Sequence, residues 1–549
     1  MAIKPMMTIF LGHDCNLTVW NPADDFMISY EFERVSQIKH HKSEDLNFEK
    51  VFNKVFNQLE NRYGIKPEFD RVWIKPGNNL EYVQEIQRIF PNNQLIYLTP
   101  RDHHAAHAAG AFFSSPFEKA GIIAWDGGGD VGSFHYYEYD GDLQYESTEM
   151  CYDFSRTYTD VGNGCDKFRK TRRLDIAGKL MGYSAYGQNH RDRKVTHRVT
   201  AYLKELMFTT TTPKSRLNRT YYTRRELKTF FPDKYKEGDG RSFLDGTPEV
   251  VACWAAQKAM EEGFIEVLHE KYIDRIREFG GNLILTGGSA LNVLVNQKVH
   301  EEFPDINLWV PSDPHDGGLS AGMMFVEPYW ENRDNRKDTD EFRPSRRDRK
   351  YEGPHVFDLE KLPKFIKDYS AKEVNHDEIV DLLKSGKIMG LVQGRCEIGP
   401  RALGNRSIIC DPSFPNMKDI INKNVKFREW YRPFAPVCTL EDAPTYFEGD
   451  YFDRMDAMQF APIVRKEYRE SLSAITHVDN TARLQTVTEE SNPNFYSLLK
   501  KFGGVLLNTS FNIQRRPILN TINDALWFLD NTGLDHVIVV DDEGKHWLF

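Results

Sequence analysis

Apolar positions near the start of the chain fall in short runs. Thr8-Ile-Phe-Leu-Gly12 is followed by Leu17-Thr-Val-Trp20. The turn signal Asn21-Pro22-Ala-Asp-Asp25 then leads into Met27-Ile-Ser-Tyr-Glu31, so three consecutive strands are predicted. Arg71 to Lys75, Gln94 to Leu98 and Ala120 to Trp125 read as further strands, and Asp102 to Phe113 as a helix. Long helices are predicted from Val250 to Phe279 and from Ala290 to Phe303, flanking a strand, Asn282 to Thr286, that runs into a Gly-Gly turn. No sequence repeat with a period of roughly 20–50 residues is present. The alternation of strand and helix is that of an α/β protein.

The stretch from Glu331 to Gly353 is almost wholly polar and charged and reads as a linker. Beyond it strand-like runs resume at Lys387 to Val392, Gly504 to Leu507 and His536 to Val540. The chain therefore divides into an N-terminal domain (1–335), a linker (336–354) and a C-terminal domain (355–549).

The 549 residues and net charge of −10 describe a folded protein of about three domains. No apolar run approaches the roughly 20 residues of a membrane span, and the N-terminus does not read as a secretory signal. Seven cysteines occur without a CxxC pair, the usage of a reducing, cytoplasmic setting.

Candidate chemistry gathers in two places. His103 and His107 stand at i and i+4, where two imidazoles on one helical face can share a metal; a pair of hydrogen-bonded core histidines is the alternative. Asp126 follows an apolar strand and precedes three glycines, and Asp316 precedes Gly317-Gly318. With the histidines these make a mixed N/O set suited to iron, manganese or zinc. Thr286-Gly287-Gly288-Ser289, between strand and helix, is a candidate phosphate or nucleotide cradle. In the second half, residues 394–407 (GRCEIGPRALGNRS) hold three arginines, three glycines and a proline. Arg401 and Arg406, then Lys426, Arg428 and Arg432, and later Arg483, suit bidentate recognition of phosphate or carboxylate.

These motifs carry a resemblance. GRCEIGPRALGNRSI, NKNVKFREWYRPFAP, TARLQTV and LLNTSFN, with GHD, EFERVSQIKHH, HHAAHAAGAFFSSPF, WDGGGD, AGKLMGYSAYG and TGGSALNVLVN in the same order, resemble the O-carbamoyltransferases of the nodulation protein U, cephamycin and tobramycin type. The resemblance spans essentially the whole chain. It implies an actin-like (ASKHA-type) N-terminal domain plus a C-terminal α/β carbamoyladenylate-forming (YrdC-like) domain. ATP and carbamoyl phosphate, with Mg, would yield carbamoyladenylate, from which an acceptor hydroxyl takes the carbamoyl group.

By the same resemblance His103, His107, Asp126 and Asp316 hold Fe(II) or another divalent metal, and His13 and Lys39 face the acceptor. Lys179, Gly287, Gly288 and Asn292 line the nucleotide. Arg401, Arg406, Lys426, Arg428, Arg432 and Arg483 gather phosphates, with Asn508 and Ser510 as polar contacts. Two departures stand out. Arg515-Arg516 replaces the family's Gly-Glu, and Cys15-Asn16 replaces small residues after His13-Asp14, which bears on the acceptor pocket.

From Lys167 to Lys228 there are 17 Lys plus Arg against 4 acidic residues, a local charge of +13. Tyr221 and Tyr222 are interleaved. This is the footprint of a nucleic-acid backbone, and the acceptor expected on this ground is a hydroxymethylated pyrimidine in DNA. A solvated basic insert with a sugar or antibiotic acceptor is the alternative reading. A non-catalytic nucleotide- or nucleic-acid-binding protein on the same fold is a third. A homodimer is left open.

Overall fold

β1 (Met6–Phe10), β2 (Asn16–Asn21) and β3 (Phe26–Glu31) form the antiparallel meander that their alternation predicts. β4 (Val72–Lys75) and β5 (Leu95–Tyr97) join in parallel on the far side of β1, giving the order β3-β2-β1-β4-β5. The structure, a computed structural model, describes residues 4–39, 47–76, 81–91, 93, 95–98, 102–129, 132–188, 193–208, 227–231, 235–238, 241–333 and 343–549.

A second sheet repeats this plan. β6 (Lys119–Trp125), β7 (Phe134–Asp140) and β8 (Asp142–Thr148) are again an antiparallel meander. After a hairpin of β9 (Tyr235–Gly238) and β10 (Arg241–Leu244), β11 (Asn282–Thr286) and β12 (Asn307–Trp309) lie parallel beside β6, in the order β12-β11-β6-β7-β8. The two sheets share topology without a shared sequence pattern.

Five helices matter for the site: α1 (Asp102–Ser114), α2 (Arg173–Ser184), α3 (Thr247–Val267), α4 (Val293–Glu302) and α5 (Leu319–Arg333). The helix expected over 250–279 is α3, a wide turn at Leu268–Tyr272 and a short helix Ile273–Glu278. α1 and α5 lie between the two sheets. Ala108, Phe112, Met324 and Phe325 pack with Trp73 of one sheet and Ile122 of the other. Glycine sets how closely these helices cross. A Cβ on Gly322 would sit 2.0 Å from the Ala106 carbonyl oxygen, and one on Gly110 3.0 Å from the Gly322 Cα.

The C-terminal half is one eight-stranded sheet. β13 (Lys372–Val374), β14 (Met389–Val392), β15 (Arg406–Cys410), β16 (Ala435–Thr439), β17 (Gln485–Val487), β18 (Leu506–Ser510), β19 (His536–Val540) and β20 (His546–Leu548) run in the order β13-β20-β19-β14-β15-β18-β16-β17.

Part of the expected linker is not a spacer. Within 336–354, residues 336–342 lie outside the described residues, but 343–354 are packed. Arg349 pairs with Asp313 at 2.7 Å, Lys350 pairs with Asp348 at 2.5 Å and with Asp456, and Ser29 of β3 donates its N–H to the Glu352 carbonyl at 2.9 Å. The charges that suggest a solvated segment are satisfied inside the protein.

Gly322→Ala should force α1 and α5 apart, at a cost of about 1–3 kcal/mol. It should lower the melting temperature and weaken binding of any cation held by His103 and His107. Thermal unfolding and a metal titration on the same variant check both effects.

Candidate active site

α1 presents His103 and His107 one turn apart, β6 ends at Asp126, and the turn Asp316–Gly318 sets Asp316 just before α5. The four ligand atoms all lie within 4.8 Å of one another. His103 Nε2 is 3.4 Å from Asp126 Oδ2 and 3.5 Å from Asp316 Oδ1; His107 Nε2 is 3.7 and 3.3 Å from the same two atoms. A tetrahedral shell with bonds of ~2.1 Å has edges of roughly 3.4 Å, so these separations fit a divalent ion. His107 Nε2 is buried and lacks a hydrogen bond of ordinary geometry, as a ligand atom aimed at an ion would. His104, the intervening histidine, turns away and stacks on His135 at 3.8 Å.

Asp316 is held from the first sheet. The buried Asn16 side chain donates to the Asp316 carbonyl at 2.8 Å and accepts from the Ser320 N–H at 2.9 Å. Cys15 is buried and its thiol points at the Gly12 carbonyl. Neither residue lines the cavity; of the two, Asn16 holds the turn bearing Asp316.

His13 bridges two carboxylates, Nδ1 to Asp14 Oδ2 at 2.8 Å and Nε2 to Asp316 Oδ2 at 3.2 Å. Burial disfavours its charged form, but the bond to Asp14 and the charges of Asp316, Asp14 and Asp126 outweigh that and raise its pKa to about 10. His107 is likewise raised to about 9, since burial is overcome by Asp126 and Asp316.

His13, Asp14, Asp126 and Asp316 open on a cavity of about 1180 Å³ whose walls come from both halves of the chain. His13, Lys39, Asp126, Asp316, Lys179, Gly288 and Asn292 line it from the N-terminal half; Arg401, Lys426, Arg428, Arg432 and Ser510 line it from the C-terminal half. The second wall is strongly cationic. Arg401 makes no ion pair or hydrogen bond with a described residue, and burial, then the nearby Arg432, lowers its pKa to about 10. Burial and neighbouring cations also depress Lys426, Arg428 and Arg483. Mutually repelling cations held together in this way make a site that an anion would relieve.

The remaining expected residues divide differently. Arg406 is fully buried and does not reach the cavity. Its guanidinium bonds the carbonyls of Gln393, Asn405, Pro354 and Gly394 and the side chain of Asn520. It is a structural brace, not a phosphate contact. Asn508 is likewise buried, donating to the Ala402 carbonyl and to Gln485. Arg483 lies outside the lining, among the guanidinium groups that crowd it. Gly287, with φ of 85°, is also outside the lining; a Cβ there would meet the Trp125 carbonyl oxygen at 2.3 Å, so only glycine lets the loop pass the end of β6. Asn292 caps α4 through Val295 N–H and bonds Gln257. Lys179 pairs with Glu429 at 2.8 Å and Lys39 with Asp175 at 2.7 Å. Arg515 and Arg516 do line the cavity, adding positive charge.

Residues that the motifs alone did not single out complete the site. Arg34, buried and 2.5 Å from Glu31 Oε2, donates to the carbonyls of Glu397 and Gly399. Glu397 Oε1 accepts from the N–H groups of Leu403, Asn405 and Arg406, which shapes the loop bearing Arg401. Arg34 and Glu31 sit inside the recognised string EFERVSQ, whose spacing holds no catalytic signal. Of the basic stretch, Lys170, Arg172 and Arg173 reach the cavity, whereas Tyr221, Tyr222, Arg224 and Arg225 lie outside the described residues.

Residues 48–324 match the family model of the carbamoyltransferase N-terminus, and residues 380–543 that of the carbamoyltransferase C-terminus. The chain belongs to the carbamoyltransferase family and is a transferase enzyme. Nodulation protein NolO of Bradyrhizobium diazoefficiens is 31% identical over 465 residues, 80% of this chain and 77% of its own. The 3'-hydroxymethylcephem-O-carbamoyltransferase of Amycolatopsis lactamdurans is 28% identical over 459 residues, 80% and 79% of the two chains. The solved structure of T. kodakarensis HypF overlaps 58% of this chain and 46% of its own at 14% identity and a TM-score of 0.32, too slight a likeness to bear on the site. No helix among the described residues is long and apolar enough to cross a membrane.

His107→Ala should reduce bound divalent metal, loaded as Fe(II) or Zn(II), from near one ion per chain by about tenfold or more. Asn16→Ala, which frees the turn bearing Asp316, should weaken the same binding by about tenfold. Metal analysis after gel filtration reads both.

Proposed function

We propose that this enzyme makes carbamoyladenylate from ATP and carbamoyl phosphate at the arginine wall and transfers the carbamoyl group to an acceptor hydroxyl at the histidine–aspartate centre. The supporting observation is that a cationic cluster and the two carboxylates of a four-residue N/O set, Asp126 and Asp316, face one cavity. Water attacks the phosphorus of carbamoyl phosphate, the bond from phosphorus to the carbamoyl oxygen breaks, and carbamate and inorganic phosphate result. Its oxygen attacks the α-phosphorus of ATP, and pyrophosphate departs. Arg401, Lys426, Arg428 and Arg432 stabilise the charge that this gathers. The acceptor oxygen then forms a bond to the carbamoyl carbon as the bond to AMP breaks, and the hydroxyl proton goes to a base. His13 Nε2 faces Asp316 at the cavity wall; it takes that proton only as the neutral imidazole, the form favoured once a bound cation offsets the Asp126 and Asp316 charges that raise its pKa. A divalent ion on the four ligands would polarise the carbamoyl carbonyl as a Lewis acid. The repeated β3-β2-β1-β4-β5 plan supports an actin-like first half, and the separate eight-stranded sheet supports a distinct activation half of YrdC-like kind.

The acceptor proposed is a hydroxymethylated pyrimidine in DNA. Lys170, Arg172 and Arg173 bring the basic stretch to the cavity, and the Amycolatopsis relative, by its name, carbamoylates a hydroxymethyl group.

Arg401→Ala should cut pyrophosphate release from ATP and carbamoyl phosphate by about 100-fold or more. Unchanged release would remove Arg401 from the activation site. With a single-stranded oligonucleotide carrying 5-hydroxymethylcytosine, mass spectrometry should show the gain of one carbamoyl group. Arg172→Gln/Arg173→Gln should reduce the salt slope of binding by roughly one to two.

A further inference from the structure

The mouth of the cavity is stitched by three contacts: Lys39 to Asp175 at 2.7 Å, Arg172 to the Lys39 carbonyl at 2.8 Å, and Lys179 to Glu429 at 2.8 Å. Lys39 and Lys426 line the same cavity, one from each half of the chain. Four large apolar side chains stand exposed on these same segments: Ile38 at 43%, Leu174 at 43%, Phe427 at 48% and Trp430 at 56%. Trp430 is the most exposed large apolar residue among those described. Its edge rests on Tyr186 at 5.3 Å and Tyr431 at 5.9 Å, in T-shaped contacts that leave ring surface to solvent. Phe427 adopts φ of 50°, a left-handed backbone unusual for a bulky residue, between the cavity-lining Lys426 and Arg428. Strain that exposes a phenyl ring beside a reactive site calls for a functional reason.

Exposed aromatic rings alternating with cations are the usual surface for an unpaired nucleobase: the rings stack on its face while the cations track the backbone. Lys170, Arg172, Arg173, Arg432, Arg515 and Arg516 supply the charge around this mouth. We propose that Phe427 and Trp430 form a stacking platform for a base of a single-stranded nucleic-acid acceptor, next to the nucleotide whose hydroxyl is carbamoylated. This rests on the nucleic-acid reading of the acceptor above and specifies how that acceptor is held: as an unstacked strand, not as an intact duplex.

The test compares wild type with Trp430→Ala, Trp430→Phe and Phe427→Gly. Glycine is favoured by the left-handed backbone at residue 427, so this last variant is expected to remain folded. The probes are a thymidine oligonucleotide of about 20 nucleotides, for binding, and the 5-hydroxymethylcytosine oligonucleotide, for turnover. One stacked base is worth about 1–3 kcal/mol, so Trp430→Ala and Phe427→Gly should each weaken binding and raise the oligonucleotide KM by roughly 5–150-fold. Their kcat and their pyrophosphate release should stay near wild type, and Trp430→Phe should restore most of the affinity. If wild type carbamoylates the strand and the variants match it in KM, the platform is wrong while the acceptor reading stands. If the variants raise the KM for ATP and not that for the strand, the rings stack on adenine and the proposal fails. If wild type neither binds nor modifies any strand, the acceptor reading falls and the platform with it.

Discussion

The site depends on one buried junction. Arg34, on the short helix after β3, is paired with Glu31 and reaches across to the carbonyls of Glu397 and Gly399. Removing one partner of a buried ion pair typically costs about 3–5 kcal/mol, because the other charge is left without compensation. The same contact fixes the loop of Arg401 against the N-terminal half. Glu31 also accepts from the Gly399 N–H at 3.3 Å, and Gly399 has no room for a Cβ, which would meet the Ser312 carbonyl oxygen at 2.2 Å. Ser312 lies four residues before Asp316. The loop of Arg401 and the turn of Asp316 are thus held against each other.

The cavity that results is electrically polarised. Asp14, Asp126 and Asp316 mark one end, and Arg401, Lys426, Arg428 and Arg432 the other. Each end would be unfavourable alone: buried carboxylates raise the protonation of His13 and His107, and the buried guanidinium groups depress one another. A cation at the first end and an anion at the second would relieve both. This concentration of charge is carried on ordinary apolar cores, such as the cluster of Val51, Phe52, Val55 and Leu59 on the first sheet.

Much of this was legible in residue order. Short apolar runs with turn signals located β1 to β3, and the i, i+4 histidines located the face of α1, because both follow from local periodicity. The doubled sheet topology was not legible, since strand order depends on crossovers and leaves no repeated string. Nor was the packing of residues 343–354: composition reports charge, and only tertiary structure shows that Arg349 and Lys350 have buried partners. Among the expected anion ligands, Arg406 and Asn508 were misread because a motif cannot show which donors face a ligand and which face the backbone.

That last distinction bears on how the protein can drift. Of the three arginines in residues 394–407, Arg395 bonds the carbonyls of Gly353, Met27 and Glu352, and Arg406 bonds four carbonyls and an amide. Both roles need a flat fork with many donors, which the single ammonium of lysine cannot match. Arg401, facing open space, contributes chiefly charge. Exchange to lysine is therefore barred at the two scaffold positions and tolerable at the one that lines the cavity, so the least interchangeable arginines of the motif are those turned toward the backbone.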